Sequence, residues 1–379
     1  MSAPRKPLPA SLFAPEVNEE DVAAFRDLVS LDLIPEQVAQ VVTPASVYPA
    51  QRQVVATHWH PEHVPMELIR RRVDAMFPGK KEELIIPTQH NVVMEWDGYA
   101  GVEVDCYSRG FSRKVQLLIH AKAERLAEAH TFRSMLEHTR RYRASQLYEF
   151  LDSLVLPAHA ARVEKGAAET GACKEVVAFC RAYALRLKRM LVDYAHDTPA
   201  DVIKNKLIAH YVDTARGVAG DLFVERAQTF LKAVKKLVKD QFPLQYFYLT
   251  SEIIEEARSL GCGIVIPHPE QFWPILLADY DVDGYEVWNP QSREYTEFLI
   301  QVVRRHNAAG RTSKPLLIFM GDDCHMGEKT RPSRYQNQEK TAREIGYQPA
   351  WDEAPIMKAL GASGVTPSTV IAQYRERLN

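Results

Sequence analysis

Cysteine is scarce in this sequence, and long apolar runs are missing. The five cysteines are an odd number without a Cys-x-x-Cys pair, which argues against a disulfide framework and makes a reducing, cytoplasmic compartment the expectation. The apolar runs are as short as strands, whereas a membrane helix needs about 20 apolar residues. The N-terminal segment MSAPRKPLPASLF also lacks the apolar core of a secretory signal. We therefore expect no membrane partner.

An excess of charge of either sign is also missing. The chain has 47 basic and 49 acidic side chains and a formal net charge of −2, so its overall field requires neither nucleic acid nor an anionic membrane. Hydrophobic residues make up 46% and charged residues 25%, as in ordinary globular proteins. A chain of 379 residues is long enough for one large α/β domain with an insertion, or for two domains. The sequence leaves the oligomeric state open.

Seven short apolar runs have the length and composition of β-strands. They alternate with helical patterns such as MELIRRRVDAMF (66–77), and this alternation predicts a mainly parallel sheet. The strand signals stop near residue 121 and resume near residue 252, and the stretch between them is helical in pattern. The seven runs are VVATHWH (54–60), LIIPTQH (84–90), GVEVD (101–105), VQLLIHA (115–121), GIVIPHP (263–269), GYEVWN (284–289) and LLIFMGDDCH (316–325).

The order of these patterns divides the chain into three parts. Residues 1–53 are predicted to form an N-terminal arm and a helix, with Asn18 before three acidic residues as the start signal of that helix. Residues 54–121 and 252–379 carry the strands. Residues 122–251 are predicted to form an all-helical insertion between these two strand-bearing segments.

Side chains of the kinds that bind metal ions lie at or near the ends of six of the seven runs. The C-terminal ends of parallel barrel strands open on one face, so these side chains are predicted to meet there. Imidazole and carboxylate groups together suit ions such as Zn²⁺, Mn²⁺ and Fe²⁺. The pattern therefore favours a metal-dependent hydrolase with more than one ion. The candidate ligands are His58, His60, His90, Glu103, His120, His268, Asp323 and His325, and the seventh run offers Glu286 and Asn289.

The spacing within the first and last runs supports this convergence. His58 and His60 stand two apart on an extended segment, so both side chains face the same way. Asp323 and His325 repeat the same spacing at the end of the last run. Gly321, just before them, allows the chain to approach a crowded site closely.

Three of the candidates have a second interpretation. Glu103 lies on an apolar strand, where an unpaired carboxylate is costly, so it either bridges cations or forms a salt bridge with Arg109 or Arg113. His120 is either a ligand or a hydrogen-bonded histidine of the core. His63, in the turn after the first motif, is either a further ligand or a surface residue.

The order of the motifs resembles that of the PHP superfamily, the polymerase-and-histidinol-phosphatase type of metal-dependent phosphoesterase. Gln89 and Asp322 stand where the family usually has Asp and Ser, and neither change removes a ligand. His63 lies three residues after the first motif instead of about six, which leaves a third metal ion open. The matching segments are His58-Trp59-His60, Thr88-Gln89-His90, Gly101-Val102-Glu103, His120, His268-Pro269 and Gly321-Asp322-Asp323-Cys324-His325.

The resemblance implies a distorted (βα)7, TIM-like barrel interrupted by an inserted all-helical domain, as in the family's branch that acts on nucleotides and short oligonucleotides. It implies hydrolysis of a small phosphorylated substrate, such as a nucleotide, with two or three divalent ions (Zn, Mn or Fe). One ion would be held by His58, His60, Glu103 and Asp323. Glu103 would bridge to a second ion on His120 and His268, and a third would rely on His63, His90 and His325.

The resemblance also assigns roles. Glu103, Asp323 and His268 are the expected catalytic residues. Four cations lie in loops near the metal motifs and are candidate phosphate contacts, with ordinary surface charge as the alternative. They are Arg109, Arg113, Arg293 and Lys329.

Two other functions fit parts of the sequence. Residues 58–63 also resemble the HxHxDH motif of metallo-β-lactamase-type hydrolases, with Glu62 for the Asp, but that fold needs a β-rich segment upstream, where residues 17–42 are predicted to be helical. A non-catalytic barrel that binds a nucleotide or a protein partner through its helical insertion is the second alternative. The full set of ligand-type residues argues against it.

Overall fold

The computed structural model describes residues 7–310, 314–331, 333, 336–361 and 363–379, and it is an α/β protein. In the described part of the chain, no helix is both long and apolar enough to cross a bilayer. The strands are β1 (Gln53–Ala56), β2 (Trp59–His60), β3 (Glu82–Ile85), β4 (Met94–Trp96), β5 (Tyr99–Tyr107), β6 (Lys114–Lys122), β7 (Gly263–Ile266), β8 (Gly284–Trp288), β9 (Leu317–Met320) and β10 (Cys324–His325).

The helices flank the strands and fill the long interval between β6 and β7. They are α1 (Glu19–Val29), α2 (Pro35–Val42), α3 (Met66–Met76), α4 (Ala123–Ala127), α5 (His130–Val155), α6 (Ala160–Thr170), α7 (Lys174–Asp193), α8 (Leu207–Asp213), α9 (Arg216–Ala219), α10 (Asp221–Gln241), α11 (Thr250–Ser259), α12 (Trp273–Leu277), α13 (Thr296–Ala308), α14 (Gln338–Thr341), α15 (Ala354–Gly361) and α16 (Pro367–Leu378).

The helix predicted over residues 17–42 is two helices. Asn18 caps α1, because its side chain accepts a hydrogen bond from the Asp21 N–H while Asp21 bonds back to the Asn18 N–H. Pro35 occupies the first turn of α2, where its missing N–H costs nothing. A proline here could not continue α1, so the chain breaks between Ser30 and Ile34.

The described strands pair in three sheets. One has the order β4-β5-β6-β7-β8-β9, and two parallel pairs, β1-β3 and β2-β10, make up the others. In the large sheet, three neighbouring pairs are antiparallel: β4 with β5, β5 with β6, and β6 with β7. The pairs β7 with β8 and β8 with β9 are parallel. The prediction of a mainly parallel sheet is therefore wrong for β5 and β6. A parallel crossover needs about a dozen residues or more, and the loop between Tyr107 and Lys114 is too short for one.

Backbone hydrogen bonds continue between the three sheets at the end that carries the candidate ligands. The Thr88 N–H donates to the Trp59 carbonyl at 2.8 Å, and the Asp323 N–H donates to the His58 carbonyl at 2.9 Å. On the other side, the Glu103 N–H donates to the Gln89 carbonyl at 3.2 Å, and the Asn91 N–H donates to the Glu103 carbonyl at 2.8 Å. These bonds bring the ends of the first, second, third and last predicted runs side by side.

The chain divides into two compact units. One consists of residues 33–140 and 244–379 and contains all the strands of the described chain. In it, alternate residues of β5 such as Val102 and Val104 pack in the main core, so Glu103 faces the opposite side of the sheet. A second core joins the other face of the sheet to helix α16 through Leu118, Phe319 and Tyr374.

The other unit consists of residues 1–32 and 141–243 and is helical. Its core includes Phe150, Phe179 and Phe230. The buried Asp21 carboxylate accepts hydrogen bonds from Arg186 at 3.2 Å and from the Tyr211 hydroxyl at 2.5 Å. The functional division of the chain into an arm, a barrel and an insertion stays a prediction.

Candidate metal centre

Seven of the predicted ligands meet in the strand-bearing unit. They form three overlapping groups, and within each group the potential ligand atoms all lie within 4.8 Å of one another. All are buried except His90 and His325, which are partly exposed. The groups are His60 with His90 and His325, His58 with Glu103 and His268, and His58 with His60 and Asp323.

Local backbone structure places these side chains. The extended segment from β1 into β2 directs His58 and His60 to the same side, as their spacing predicts. His268 and Asp323 follow β7 and β9 with φ angles of 30° and 44°, in the left-handed region that is strained for residues other than glycine. Such strain persists only where the surrounding structure enforces it, and it concentrates at functional sites.

The distances between facing atoms suit a shared ion better than hydrogen bonds. His60 Nε2 lies 3.4 Å from Asp323 Oδ1 and 3.5 Å from Glu103 Oε2, and His58 Nε2 lies 3.7 Å from Asp323 Oδ1. Two ligand atoms at about 2.0–2.2 Å from one tetrahedral ion are roughly 3.3–3.6 Å apart. A hydrogen bond between such atoms would be about 2.7–3.2 Å long.

Several of these buried atoms have no hydrogen-bond partner among the described residues. An unpaired buried polar group costs about 1–3 kcal/mol, so proteins rarely leave one without a function. Here several orphaned lone pairs converge in one place, and each belongs to a group that binds transition metals. The atoms are His58 Nε2, His60 Nδ1 and Nε2, and His268 Nδ1, and Glu103 Oε2 beside them has His90 Nδ1 at 2.5 Å.

Glu286, on β8, orients two of the candidate ligands. Its Oε1 lies 2.8 Å from His58 Nδ1, and its Oε2 accepts a hydrogen bond from the His268 N–H at 2.6 Å. A carboxylate at Nδ1 fixes the proton there and leaves the Nε2 lone pair of His58 for an ion. Gly321 makes room for this carboxylate, because a Cβ at Gly321 would lie 1.2 Å from Glu286 Oε1. The expected close approach at Gly321 is confirmed.

Asp323 is oriented in the same way by two other side chains. Its Oδ2 accepts hydrogen bonds from Arg343 Nη1 and from Gln291 Nε2, both at 2.5 Å. The other oxygen, Oδ1, is therefore directed towards His58, His60 and His325, from which it is 3.7, 3.4 and 3.3 Å.

The neighbouring Asp322 has a structural role. It accepts hydrogen bonds from the backbone N–H groups of Cys324 and Gly346. Burial raises the pKa of Asp322 to about 7. Asp322 thus ties residues 322–324 to the segment around Gly346, and it stands outside the three ligand groups.

The electrostatics of the cluster differ from residue to residue. Burial lowers the pKa of His60 to about 4, and it also lowers the pKa of His268, so both are neutral and able to bind metal near pH 7. Burial also opposes the charge on His58, but the Glu286 carboxylate outweighs it and raises the pKa of His58 to about 10. Burial alone would raise the pKa of Asp323, but the facing imidazoles of His325, His60 and His58 outweigh burial and hold that pKa well below its usual value.

The structure does not bring His120 into the cluster. Its Nδ1 lies 2.7 Å from the Tyr374 hydroxyl and its Nε2 lies 3.0 Å from the Thr57 carbonyl, so both ring nitrogens are engaged by the protein. The reason is the direction of β6. This strand is antiparallel, and His120 pairs with Gly263 at the start of β7, whereas His268 follows the end of that strand. The interpretation of His120 as a core histidine replaces its prediction as a ligand.

His63 also stands outside the three groups. Its Nε2 lies 3.2 Å from the Thr330 hydroxyl. Its neighbour Glu62, which sequence reasoning treated only as part of the alternative motif, lies 3.3 Å from His325 Nδ1 and orients that ring instead. A third ion was expected on His63, His90 and His325. In the structure His60, and not His63, lies beside His90 and His325.

One of the four predicted phosphate contacts is wrong. Lys329 is 3% exposed, and its ammonium group donates to the carbonyls of Thr341 and Arg343 and lies 3.1 Å from Glu344 Oε1. All three donors are used, so none can reach a substrate.

The three predicted arginines are exposed. Arg109 and Arg113 lie at the tip of the β5–β6 hairpin, in the loop between Tyr107 and Lys114 and away from Glu103 in the middle of β5. Arg293 lies over the Trp288 ring, 5.7 Å from its centroid. Their role in binding phosphate stays a prediction.

Sequence reasoning missed the residues that hold the candidate ligands in place. The sequence indicated Glu286 only as a possible ligand and did not predict its contact with His58 Nδ1. A carboxylate inside an apolar run does predict that a buried partner is present, because an unpaired buried charge is costly. Arg343 and Gln291 gave no signal, because they lie in loops and their partner Asp323 is distant in sequence.

Comparison with known proteins adds little to this geometry. No family model matches the chain, and no curated protein matches it. A solved structure of a "putative metal-dependent phosphoesterase" from Bifidobacterium adolescentis has 17% identity to this chain, covers 84% of it and 98% of its own length, and gives a TM-score of 0.42. A likeness at this level carries no argument, so the site rests on its own contacts.

Proposed function

We propose that this chain is a metal-dependent phosphoester hydrolase with two divalent ions in one site. The observation that carries the proposal is that buried imidazole nitrogens without hydrogen-bond partners converge with the carboxylates of Glu103 and Asp323 in one cluster. Divalent ions would remove the cost of burying those atoms, because they would bind the same lone pairs. The cluster mixes nitrogen and oxygen ligands and accepts several ions, so Zn, Mn and Fe all stay candidates.

The ligands favour two ions over three. A neutral imidazole has a single lone pair, so His58 and His60 can each bind only one ion. The group of His58, His60 and Asp323 therefore competes for ligands with both of the other groups. Asp323 Oδ1 lies within 3.7 Å of His58, His60 and His325, which belong to both remaining sets, so Asp323 would help to hold an ion in either set. The two sets are His60, His90 and His325, and His58, Glu103 and His268.

The residues divide the work between binding and orientation. A pair of divalent ions supplies an activated water and stabilises negative charge on a phosphoryl group. Glu103, Asp323 and His268, the residues expected to be catalytic, act by holding the ions. Glu286 keeps the Nε2 lone pair of His58 directed into the site, and Arg343 keeps Asp323 Oδ1 facing it.

The barrel predicted from the motifs belongs to the same proposal. The hydrogen bonds from Thr88 to Trp59, from Glu103 to Gln89 and from Asp323 to His58 continue the pairing between the three open sheets. We propose that the seven predicted runs form a distorted barrel, closed by these few bonds, with the helices between β6 and β7 as its insertion. The strand ends would then form one rim around the metal centre.

The substrate class depends on the motif resemblance alone. We propose a small phosphorylated molecule, such as a nucleotide or short oligonucleotide, as the substrate, in a cytoplasmic setting. Arg109, Arg113 and Arg293 are the exposed cations retained as candidate phosphate contacts. The metallo-β-lactamase alternative is disfavoured, since residues 7–52 contain α1 and α2 and no strand, and His63 lies outside the ligand groups.

The proposal is tested by metal analysis and a substrate screen on matched variants. We expect two equivalents of metal per chain, and phosphate release from phosphomonoesters, nucleoside bisphosphates or short oligonucleotides with added Mn²⁺. His268→Ala should bind one equivalent of metal less than the wild type. Its rate of phosphate release should fall by roughly 100-fold or more, because loss of residues that only orient a metal ligand already costs up to that much. His120→Gln is the control, because His120 is a buried histidine of the same unit outside the ligand groups.

Three outcomes would count against the proposal or its ligand assignment. A wild-type protein that binds no divalent metal would exclude it. Tight binding of a nucleotide or a protein without turnover of any substrate would favour the non-catalytic alternative. Loss of metal from His120→Gln but not from His268→Ala would reverse the ligand assignment.

A further inference from the structure

The helical unit contains a cavity that the proposed function does not use. Its volume is about 260 Å³, and it lies against helix α10. This is a little smaller than the roughly 300–1,000 Å³ typical of drug-sized ligand sites, so it suits a small molecule. Residues that line it and matter for its chemistry are Phe150, Asn205, Gln228, Thr229, Lys232 and Lys235.

Two lysines give this cavity an uncompensated positive charge. Lys232 and Lys235 stand three apart on α10, a spacing that places them on the same side of the helix. Lys232 is exposed and Lys235 is half-buried. Of the ion pairs formed by the described residues, none includes either lysine, although the nearby Lys236 pairs with Asp240 at 3.3 Å. Burial and the charge of Lys232 lower the pKa of Lys235.

The polar groups of the cavity leave one acceptor unused. Gln228 Nε2 donates to the Ala209 carbonyl at 2.6 Å, and the Thr229 hydroxyl donates to the Glu225 carbonyl at 2.9 Å. Asn205 donates its amide N–H to the Gln146 side chain, and its Oδ1 is buried without a partner among the described residues. An occupant that carries both negative charge and a hydroxyl group would satisfy the lysines and this oxygen together.

We propose that this cavity binds a small phosphate-bearing anion. The ammonium groups of Lys232 and Lys235 contact its oxygens, and Asn205 Oδ1 accepts a hydrogen bond from a protonated oxygen or hydroxyl of the same molecule. Every lining residue belongs to the helical unit, and none is a candidate metal ligand. The inference is therefore independent of the proposed hydrolase activity.

The test is calorimetric titration of the full chain with inorganic phosphate, against sodium chloride of equal ionic strength. The variant Lys232→Met/Lys235→Met removes both charges while keeping side-chain length and helix propensity. We expect it to bind phosphate at this site about tenfold more weakly or worse, since two charge-assisted hydrogen bonds are lost. Lys236→Met, on the same helix with its own carboxylate partner, is the matched control and should bind as the wild type does.

Phosphate binding at the metal centre cannot imitate this result, because the lysine changes leave its ligands intact. If the double variant does not fold, Lys232→Met alone repeats the test, since Lys232 is exposed. The proposal fails if phosphate binds no better than chloride, or if the lysine variants and Lys236→Met bind phosphate equally.

Discussion

Glu286→Gln should weaken metal binding without changing any ligand. The substitution keeps the shape of the side chain and removes its charge. In one orientation the new amide presents Oε1 to His58 Nδ1, and its NH₂ group then faces the His268 N–H, so two donors oppose each other. In the reverse orientation the NH₂ group faces His58 Nδ1, which must then accept, and the ring proton moves to Nε2, where it blocks the ion.

Both orientations carry a cost of the same size. In the wild type the buried backbone N–H of His268 donates to Glu286 Oε2 at 2.6 Å. The first orientation leaves this N–H without an acceptor, which costs about 1–3 kcal/mol. The second places the proton of His58 on the wrong nitrogen. Removal of such a carboxylate partner typically costs about 10–100-fold in metal affinity. We therefore expect a loss of about 1.4–2.7 kcal/mol in the free energy with which an ion binds the neutral form of His58. Glu286 also raises the pKa of His58, so the substitution lowers the proton competition and the two effects have to be separated.

Competition of the protein with a chromogenic chelator for Zn²⁺, repeated over a range of pH to correct for the proton displaced from His58, measures this loss. Asp283→Asn is the matched control, because Asp283 is a buried carboxylate next to the opposite end of β8 and is paired with Arg258 and Arg377. The control should keep wild-type affinity. An affinity of Glu286→Gln within twofold of the wild type would refute the role assigned to Glu286.

Two further predictions follow from the electrostatics of the cluster. Glu286 raises the pKa of His58 to about 10, so His58 is protonated at pH 7 when no ion is bound, and an entering ion must displace that proton. The affinity for metal should therefore fall as the pH falls. At least one proton per chain should be released on binding. Calorimetry in two buffers of different ionisation enthalpy measures this release, and equal heats would contradict it. Arg343→Met removes the buried partner of Asp323 Oδ2 and should lower the free energy of unfolding by about 3–5 kcal/mol in urea titrations of chelator-treated protein. Arg189→Met, which removes an exposed cation paired with Asp193, should cost no more than about 1 kcal/mol, and equal losses in the two variants would show that Arg343 has no special role.

The sequence predicted the strands better than their directions. Each of the seven runs coincides with a strand or strand pair, because the runs are too short for typical helices and most are rich in β-branched residues, which favour strands. The direction of β6 depended on loop length, a signal that was present in the six residues between Tyr107 and Lys114 and was not used. That error led directly to the misplacement of His120.

The candidate site was visible in the sequence only as a list of residue types. Spacing showed that His58 and His60 share a face, and it could not show that His90 contacts Glu103 Oε2 from 13 positions away, at 2.5 Å. The expected role of Lys329 failed for a related reason. A lysine in a loop looks solvent-exposed in sequence, and only packing reveals that Glu344 and two carbonyls enclose it.

The sequence by itself determined which segments are extended, which are helical and which side chains can bind a metal ion, because these depend on local pattern and on the chemistry of single residues. The tertiary structure alone decided which of those side chains meet. It also decided which oxygen of Asp323 and which nitrogen of His58 face the cluster, since Arg343, Gln291 and Glu286 come from distant parts of the chain. The orientation of a ligand depends on the side chains that contact it, and only folding brings those side chains to it.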